Sequence, residues 1–239
     1  AKMGLLEHLA ELRQRLIYAI AWIIVGFVVA WFFHDQLFQW MLVPLQQGAP
    51  EIEAAQMHHK DLAEPIYVFL KLSLLAGAFL AAPGILYNIW KFIAPGLYDS
   101  ERKLVWPFVI FGTLFFLIGA SFCYFIVLPY GYNFLLLFSE QVSDPQLMMA
   151  EYFSITTKLM FGFGLIFELP VFSMFLSILG VINHRTLLNY WRYAIVVAFL
   201  MAALLTPPDI ITQSMMAGPL MVLYGLSILV AWVFWKDEE

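Results

Sequence analysis

The chain has 239 residues, of which 63% are hydrophobic, 18% aromatic and 12% charged, with a mean hydropathy of +0.84 and a formal net charge of −5. Soluble domains carry about a quarter charged residues. No water-soluble core of this size hides so much apolar surface, so lipid is the solvent for most of the chain. A single cysteine, Cys123, inside an apolar run excludes an intrachain disulfide framework and reads as a buried, inert thiol.

Six apolar runs are predicted to cross a bilayer as helices, at about 14–34, 66–90, 104–128, 152–180, 190–206 and 213–234. The fold class expected is all-α: a polytopic membrane protein with residues 1–239 forming one transmembrane domain. The chain opens with GLLEHLAELRQRL, where Leu5, Leu9, Leu12 and Leu16 make a helical stripe and Glu7 and Glu11 lie one turn apart on another face. Glu11 stands four residues before Arg15, the spacing of a helical ion pair. The first apolar run is too long for the core of a signal peptide and has no small-x-small pattern before Asp35, so it reads as a retained span.

The connection 35–65 carries Pro44, Pro50 and Pro65, and its HDQLFQWMLVPL segment is predicted to be a short amphipathic helix on the membrane surface. His58-His59 reads as a solvated loop pair, not a metal site. Span two contains Lys71 near its outer end and Pro83 in AAPGILY, where a kink is expected. The following loop, APGLYDSERK, places Asp99 and Glu101 beside Arg102 and Lys103. Span three closes at 128, and 129–151 is expected to be a loop. Span four holds Lys158, which like Lys71 is expected to snorkel to the outer headgroups. The fifth run, Tyr190 to Thr206, is short: at 1.5 Å per residue it covers about 25 Å, so the bilayer thins there or the helix ends in a polar vestibule.

GLIFELPVF, within span four, sets Glu168 two residues before Pro170. A mid-membrane carboxylate costs at least about 2.5–3.5 kcal/mol on insertion scales. Pro170 has no N–H to offer the Ile166 carbonyl. A polar or water-filled pocket would satisfy both groups, so one face of span four is expected to meet such a cavity.

Basic residues orient the chain. Lys2, Arg13, Arg15, Lys91, Arg102, Lys103, Arg185, Arg192 and Lys236, nine of the twelve Lys and Arg, fall on one side, so both termini are expected in the cytoplasm. The runs are continuously apolar and do not alternate, which argues against a transmembrane barrel. The sequence carries no H-E-x-x-H zinc site, no G-x-S-x-G nucleophile turn and no phosphate loop. All five histidines lie at span ends or in loops. Basic residues that flank spans are explained by topology, so no nucleic-acid partner is indicated, and an enzyme, a metal site and a cofactor are all disfavoured. Carboxylates on a basic, partly desolvated rim suit guanidinium groups, which they bind through two parallel hydrogen bonds. A receptor for a cationic ligand is the reading that follows. The alternative is a proton-coupled small-solute carrier that uses Glu168 as its proton site.

EHLAELRQRL, APGILYNIWKFIAPGLYDSERK, YFIVLP, FGLIFELPV and LLTPPDIITQ, in that order and over nearly the whole chain, resemble the TatC family, the multi-span receptor subunit of the twin-arginine protein translocase. The resemblance implies six helices curved into a cup or glove, with short fifth and sixth helices, in a bacterial inner membrane. It implies recognition of folded cargo through signal peptides bearing paired arginines, transport driven by the proton gradient without ATP hydrolysis, and single-span TatB-type and TatA-type partners in a complex with several TatC copies. It further implies that Glu11 and Glu101 recognise the arginines, with Phe92 and Leu97 in the surrounding apolar patch, and that Glu168 is the membrane-buried acid. Pro44 and Asp209 match transport-related positions, and Thr206 and Gln213 match positions where a partner helix docks. Gly96 stands where a larger small residue is common in the family.

Overall fold

The computed structural model describes residues 5–48, 57–58, 60–93, 105–140, 147–205 and 210–235. These residues form α1 (Leu5–Trp31), α2 (His34–Gly48), α3 (Glu64–Ile93), α4 (Val105–Phe122), a π-turn (Cys123–Val127), α5 (Leu128–Glu140), α6 (Met149–Phe167), α7 (Leu169–Ile178), α8 (His184–Asn189), α9 (Trp191–Leu205) and α10 (Ile210–Phe234). The protein is all-α; the one extended pairing among the described residues is an isolated bridge between His58 and Met148.

Among the described residues, five helices are long and apolar enough to span a membrane: Leu6–Trp31, Glu64–Ile93, Val105–Ser139, Met149–Ile178 and Met216–Phe234. A shorter apolar helix, Trp191–Leu204, supplies the sixth segment, so the six-span reading holds. α1 begins in the GLLEHLAELRQRL segment and runs into span one without a break. The segment expected to lie flat as a surface helix is α2, and it is docked on protein. Met41, Leu42 and Leu45 are buried, and the Tyr152 hydroxyl donates to the Met41 carbonyl at 2.5 Å.

Span three departs from expectation, because its helix continues through 128 to Glu140. The Leu128 N–H bonds to the Cys123 carbonyl, five residues back. That wider turn carries the chain past Pro129, which has no N–H of its own, and LPYGYNFLLLF then continues as helix. α3 also runs unbroken through Pro83, so the interruption seen at Glu168 has no counterpart there.

Contacts fall into two compact units. In the first, α1 lies against α3 through small residues. A Cβ on Gly77 would stand 2.5 Å from the Phe27 nitrogen, a Cβ on Gly26 would meet the Gly77 carbonyl, and the Trp22 indole fills the space over Gly84. Lipid tails are as apolar as the helices, so close backbone approach is what holds such a pair together. Phe38 of α2 packs on Phe69 of α3 and Phe153 of α6, with ring centroids 5.6 and 4.9 Å away.

In the second unit, a Cβ on Gly119 would stand 2.6 Å from the Phe163 carbonyl, and Phe122 packs on both Phe163 and Phe167. The Asn133 amide donates to the Gly48 carbonyl at 2.6 Å. The Ser173 hydroxyl of α7 donates to the Ser227 carbonyl of α10 at 2.8 Å. α7 ends in a left-handed glycine: Gly180 has φ of 71°, its N–H reaches the Ser177 carbonyl, and the Val181 N–H reaches the Leu176 carbonyl, the pattern that closes helices with a glycine cap. Asn183 then caps α8 by accepting from the Thr186 N–H at 2.7 Å.

Gly77→Leu is expected to destabilise the first unit by about 1–3 kcal/mol through overpacking against α1, read as a lowered melting temperature in detergent. Gly218→Ala, where an added Cβ meets nothing within 4 Å, should change stability by less than about 1 kcal/mol. Equal effects would refute the close α1–α3 contact.

Candidate functional site

At the N-terminal end of α1, Glu11 is partly buried, and its Oε1 meets Arg15 Nη2 at 3.3 Å. That is the helical pair predicted from spacing. The pair is incomplete, because Glu11 Oε2 and Arg15 Nε are buried with no hydrogen-bond partner among the described residues. One turn earlier on the same helix, the His8 ring stacks on Phe92 near the end of α3, with centroids 4.5 Å apart and planes 19° apart. His8 and Glu11 are three residues apart and so share a side of the helix. The structure therefore brings Glu11 and Phe92 to one end of the α1–α3 pair. Sequence reading treated His8 as an ordinary span-end histidine. Its spacing from Glu11 was the signal that could have found it. Leu97, Asp99 and Glu101 lie outside the described residues.

Thr206 and Asp209 also fall outside the described residues. Gln213 lies in the first turn of α10, and its Nε2 donates to the Phe199 carbonyl of α9 at 2.9 Å. Pro44 lies inside α2 and is fully buried.

Glu168 occupies the break between α6 and α7, as the cap residue of α7, with Pro170 in the first turn that follows. Its carbonyl accepts from the Phe172 N–H at 2.9 Å, and its own N–H reaches back only to Leu165. The residue is 6% exposed, and its Oε1 has no hydrogen-bond partner among the described residues. A cavity does open beside this break, with a volume of about 770 Å³. Its walls near the break are Leu165, Ile166 and Leu169, and Glu168 is not among its lining residues. This apolar groove is not the polar pocket expected beside span four.

A second buried acid escaped sequence reading. Glu64, 7% exposed at the start of α3, accepts from the Lys60 N–H at 2.8 Å and from the Ala150 N–H at 2.6 Å. The His58 N–H reaches the Leu147 carbonyl, and the Met149 N–H reaches the His58 carbonyl. Lys60 Nζ and Glu151 Oε1 are 2.7 Å apart. The Glu151 carboxylate, through that hydrogen bond and then through its charge, holds the Lys60 ammonium above the usual lysine range. These contacts strap the segment before α3 to the start of α6. Nothing in the local sequence DLAEP marks Glu64 as the anchor, because one of its partners is 86 residues away.

The fold and these sites together define a polytopic helical membrane protein. Among the described residues, its buried carboxylates lie at a helix start and at one helix break. The family model described as "Sec-independent protein translocase protein (TatC)" matches residues 7–219. The Sec-independent protein translocase protein TatC of Desulforapulum autotrophicum is 42% identical over 233 residues, covering 98% of this chain and 86% of that protein. The TatC of Campylobacter jejuni is 39% identical over 224 residues, covering 93% and 91%. A crystal structure of the twin arginine translocase receptor TatC superposes with a TM-score of 0.83 at 38% identity, covering 94% of this chain and 97% of that one. A second crystal structure, of that receptor in DDM, gives 0.85. The chain belongs to the TatC family: it is a multi-pass membrane component of the twin-arginine, Sec-independent protein translocase, a system in which it works with other Tat components.

Glu64→Ala removes the acceptor of two backbone N–H groups, each a charge-assisted bond of about 1.5–3 kcal/mol. Hydrogen exchange at the Lys60 and Ala150 amides should then speed up, while amides near the middle of α10 keep their protection. Unchanged exchange at both amides would refute the strap.

Proposed function

We propose that this chain is the signal-peptide receptor of its translocase, acting in a bacterial cytoplasmic (inner) membrane as a single transmembrane domain over residues 1–239. Glu11 and Glu101 bind the paired arginines of the signal peptide, and Phe92 and Leu97 contribute apolar contacts beside them. Thr206 and Gln213 dock single-span TatB-type and TatA-type helices. Glu168 serves as the intramembrane polar group during proton-gradient-driven transport, and Pro44 and Asp209 shape the outer connections that transport requires. Several copies assemble with these partners around folded cargo.

The observation that carries this reading is the half-satisfied Glu11. One carboxylate oxygen is shared with Arg15 at a long 3.3 Å, and the other has no partner among the described residues. A carboxylate with a free oxygen at a partly desolvated rim can accept an incoming guanidinium through parallel hydrogen bonds. Arg15 holds the site poised until the ligand displaces it. The Phe92 ring, fixed against His8, offers an apolar wall next to the charge. The name "receptor" in the related crystal structures points the same way for those proteins.

Removing one partner from a buried arginine–carboxylate pair costs about 2–5 kcal/mol, at least about thirtyfold in affinity. Photocrosslinking from Phe92 to a twin-arginine peptide should disappear in the Glu11→Ala, Glu101→Ala double variant while membrane insertion persists. Undiminished crosslinking would remove the assignment. Gln213→Leu deletes a polar contact of about 0.6–2 kcal/mol in a membrane. It should lower copurification of a single-span partner, and full recovery would count against docking at that position.

A further inference from the structure

α1 and α3 run antiparallel in the first unit, so positions nearer the start of α1 meet positions nearer the end of α3. Gly26 meets Gly77, the Trp22 indole lies over Gly84, and further toward the chain start His8 stacks on Phe92. Phe92 is the penultimate residue of α3 and is half-buried. The His8 ring is exposed, and among the described residues it makes no hydrogen bond and no ion pair. Its specific contact is the stack itself, with centroids 4.5 Å and planes 19° apart, an offset, near-parallel arrangement of the kind that aromatic pairs favour.

That stack ties an apolar ring to an acid. Helical neighbours three residues apart have Cβ atoms about 5–6 Å from each other, so a ring stacked on His8 lies beside Glu11. A phenyl ring that nothing holds at a helix end exchanges between staggered rotamers. A ligand would then have to immobilise it, and each side chain ordered on binding subtracts from affinity. Held by His8, Phe92 keeps one orientation before any ligand arrives. An imidazole suits the task at an exposed helix start, because its flat apolar body stacks while its polar edge stays in water.

We propose that His8 is a positioning residue of the cationic-peptide site: it preorganises the Phe92 ring as the surface on which apolar side chains of the bound peptide pack, and it touches no ligand itself. The inference rests on the receptor reading of Glu11 and Phe92 and adds the residue that readies Phe92 for binding.

Equilibrium binding of a fluorescein-labelled twin-arginine signal peptide to the full chain in dodecyl maltoside tests it, alongside the same peptide with both arginines replaced by lysine. His8→Ala should weaken binding of the arginine peptide about two- to tenfold, the range set by having to immobilise one side chain. The ratio of arginine to lysine affinities should stay as in the wild type, because the acids set that ratio and a general loosening of the start of α1 would lower it. His8→Phe keeps a ring in the stack and should restore wild-type affinity. In a Phe92→Ala background, His8→Ala should add no further loss. Wild-type affinity in His8→Ala, a changed arginine-to-lysine ratio, no rescue by His8→Phe, or the same loss with and without Phe92 each overturns the proposal. If Phe92→Ala and Glu11→Ala also bind like the wild type, the receptor reading falls with it; if those two weaken binding and His8→Ala does not, only the role of His8 falls.

Discussion

Inside hydrocarbon no water is available to satisfy a backbone N–H or C=O, and each unmatched group costs several kcal/mol. That constraint governs this molecule more than any side-chain contact does. It makes the described residues almost wholly helical, and it turns each proline into a local problem. Pro83 and Pro219 are absorbed within helices that stay continuous. Pro129 is approached through a π-turn whose five-residue bond spans the missing donor. Only at Pro170 does the helix break, and there the chain places a carboxylate. A helix break inside a span and a buried acid therefore coincide there. A helix break frees backbone carbonyls, which lowers the local cost of a polar side chain.

Packing follows from the same solvent. Lipid tails offer the helices no hydrophobic reason to associate, so contact comes from closeness and from hydrogen bonds. Gly26, Gly77 and Gly84 let α1 sit on α3 at backbone distance, and Gly119 does the same for α4 and α6. Serine and tyrosine hydroxyls find carbonyls on neighbouring helices, as Ser173 does at Ser227 and Tyr224 at Leu187. Away from hydrocarbon the means change to charge. Glu64, Lys60 and Glu151 tie the approach to α3 onto the start of α6 through hydrogen bonds to backbone and an ion pair.

The division of labour suits a translocase component. Charges at the N-terminal end of α1 are held but not exhausted by their internal pairing. Gln213 is tied to a carbonyl of the adjacent α9, so a partner helix approaching there would meet an amide already anchored in place. Glu168 is buried at the break between α6 and α7. It is not among the lining residues of the apolar groove nearby.

By itself the sequence determined the solvent, the number of spans, the shortness of the fifth, the Glu11–Arg15 pair and the special status of Glu168, because each rests on composition or on spacings of four residues or fewer. Its motif order was also enough to point to the family. Only the tertiary structure decided that span three continues past Pro129, that α2 docks on protein, that His8 backs Phe92, that Glu64 anchors a strap and that an apolar groove opens beside the α6–α7 break. Apart from the local π-turn before Pro129, those outcomes depend on partners tens of residues distant. Side-chain periodicity reports which face of a helix is apolar, but not which neighbour meets that face, or whether lipid or another helix covers it.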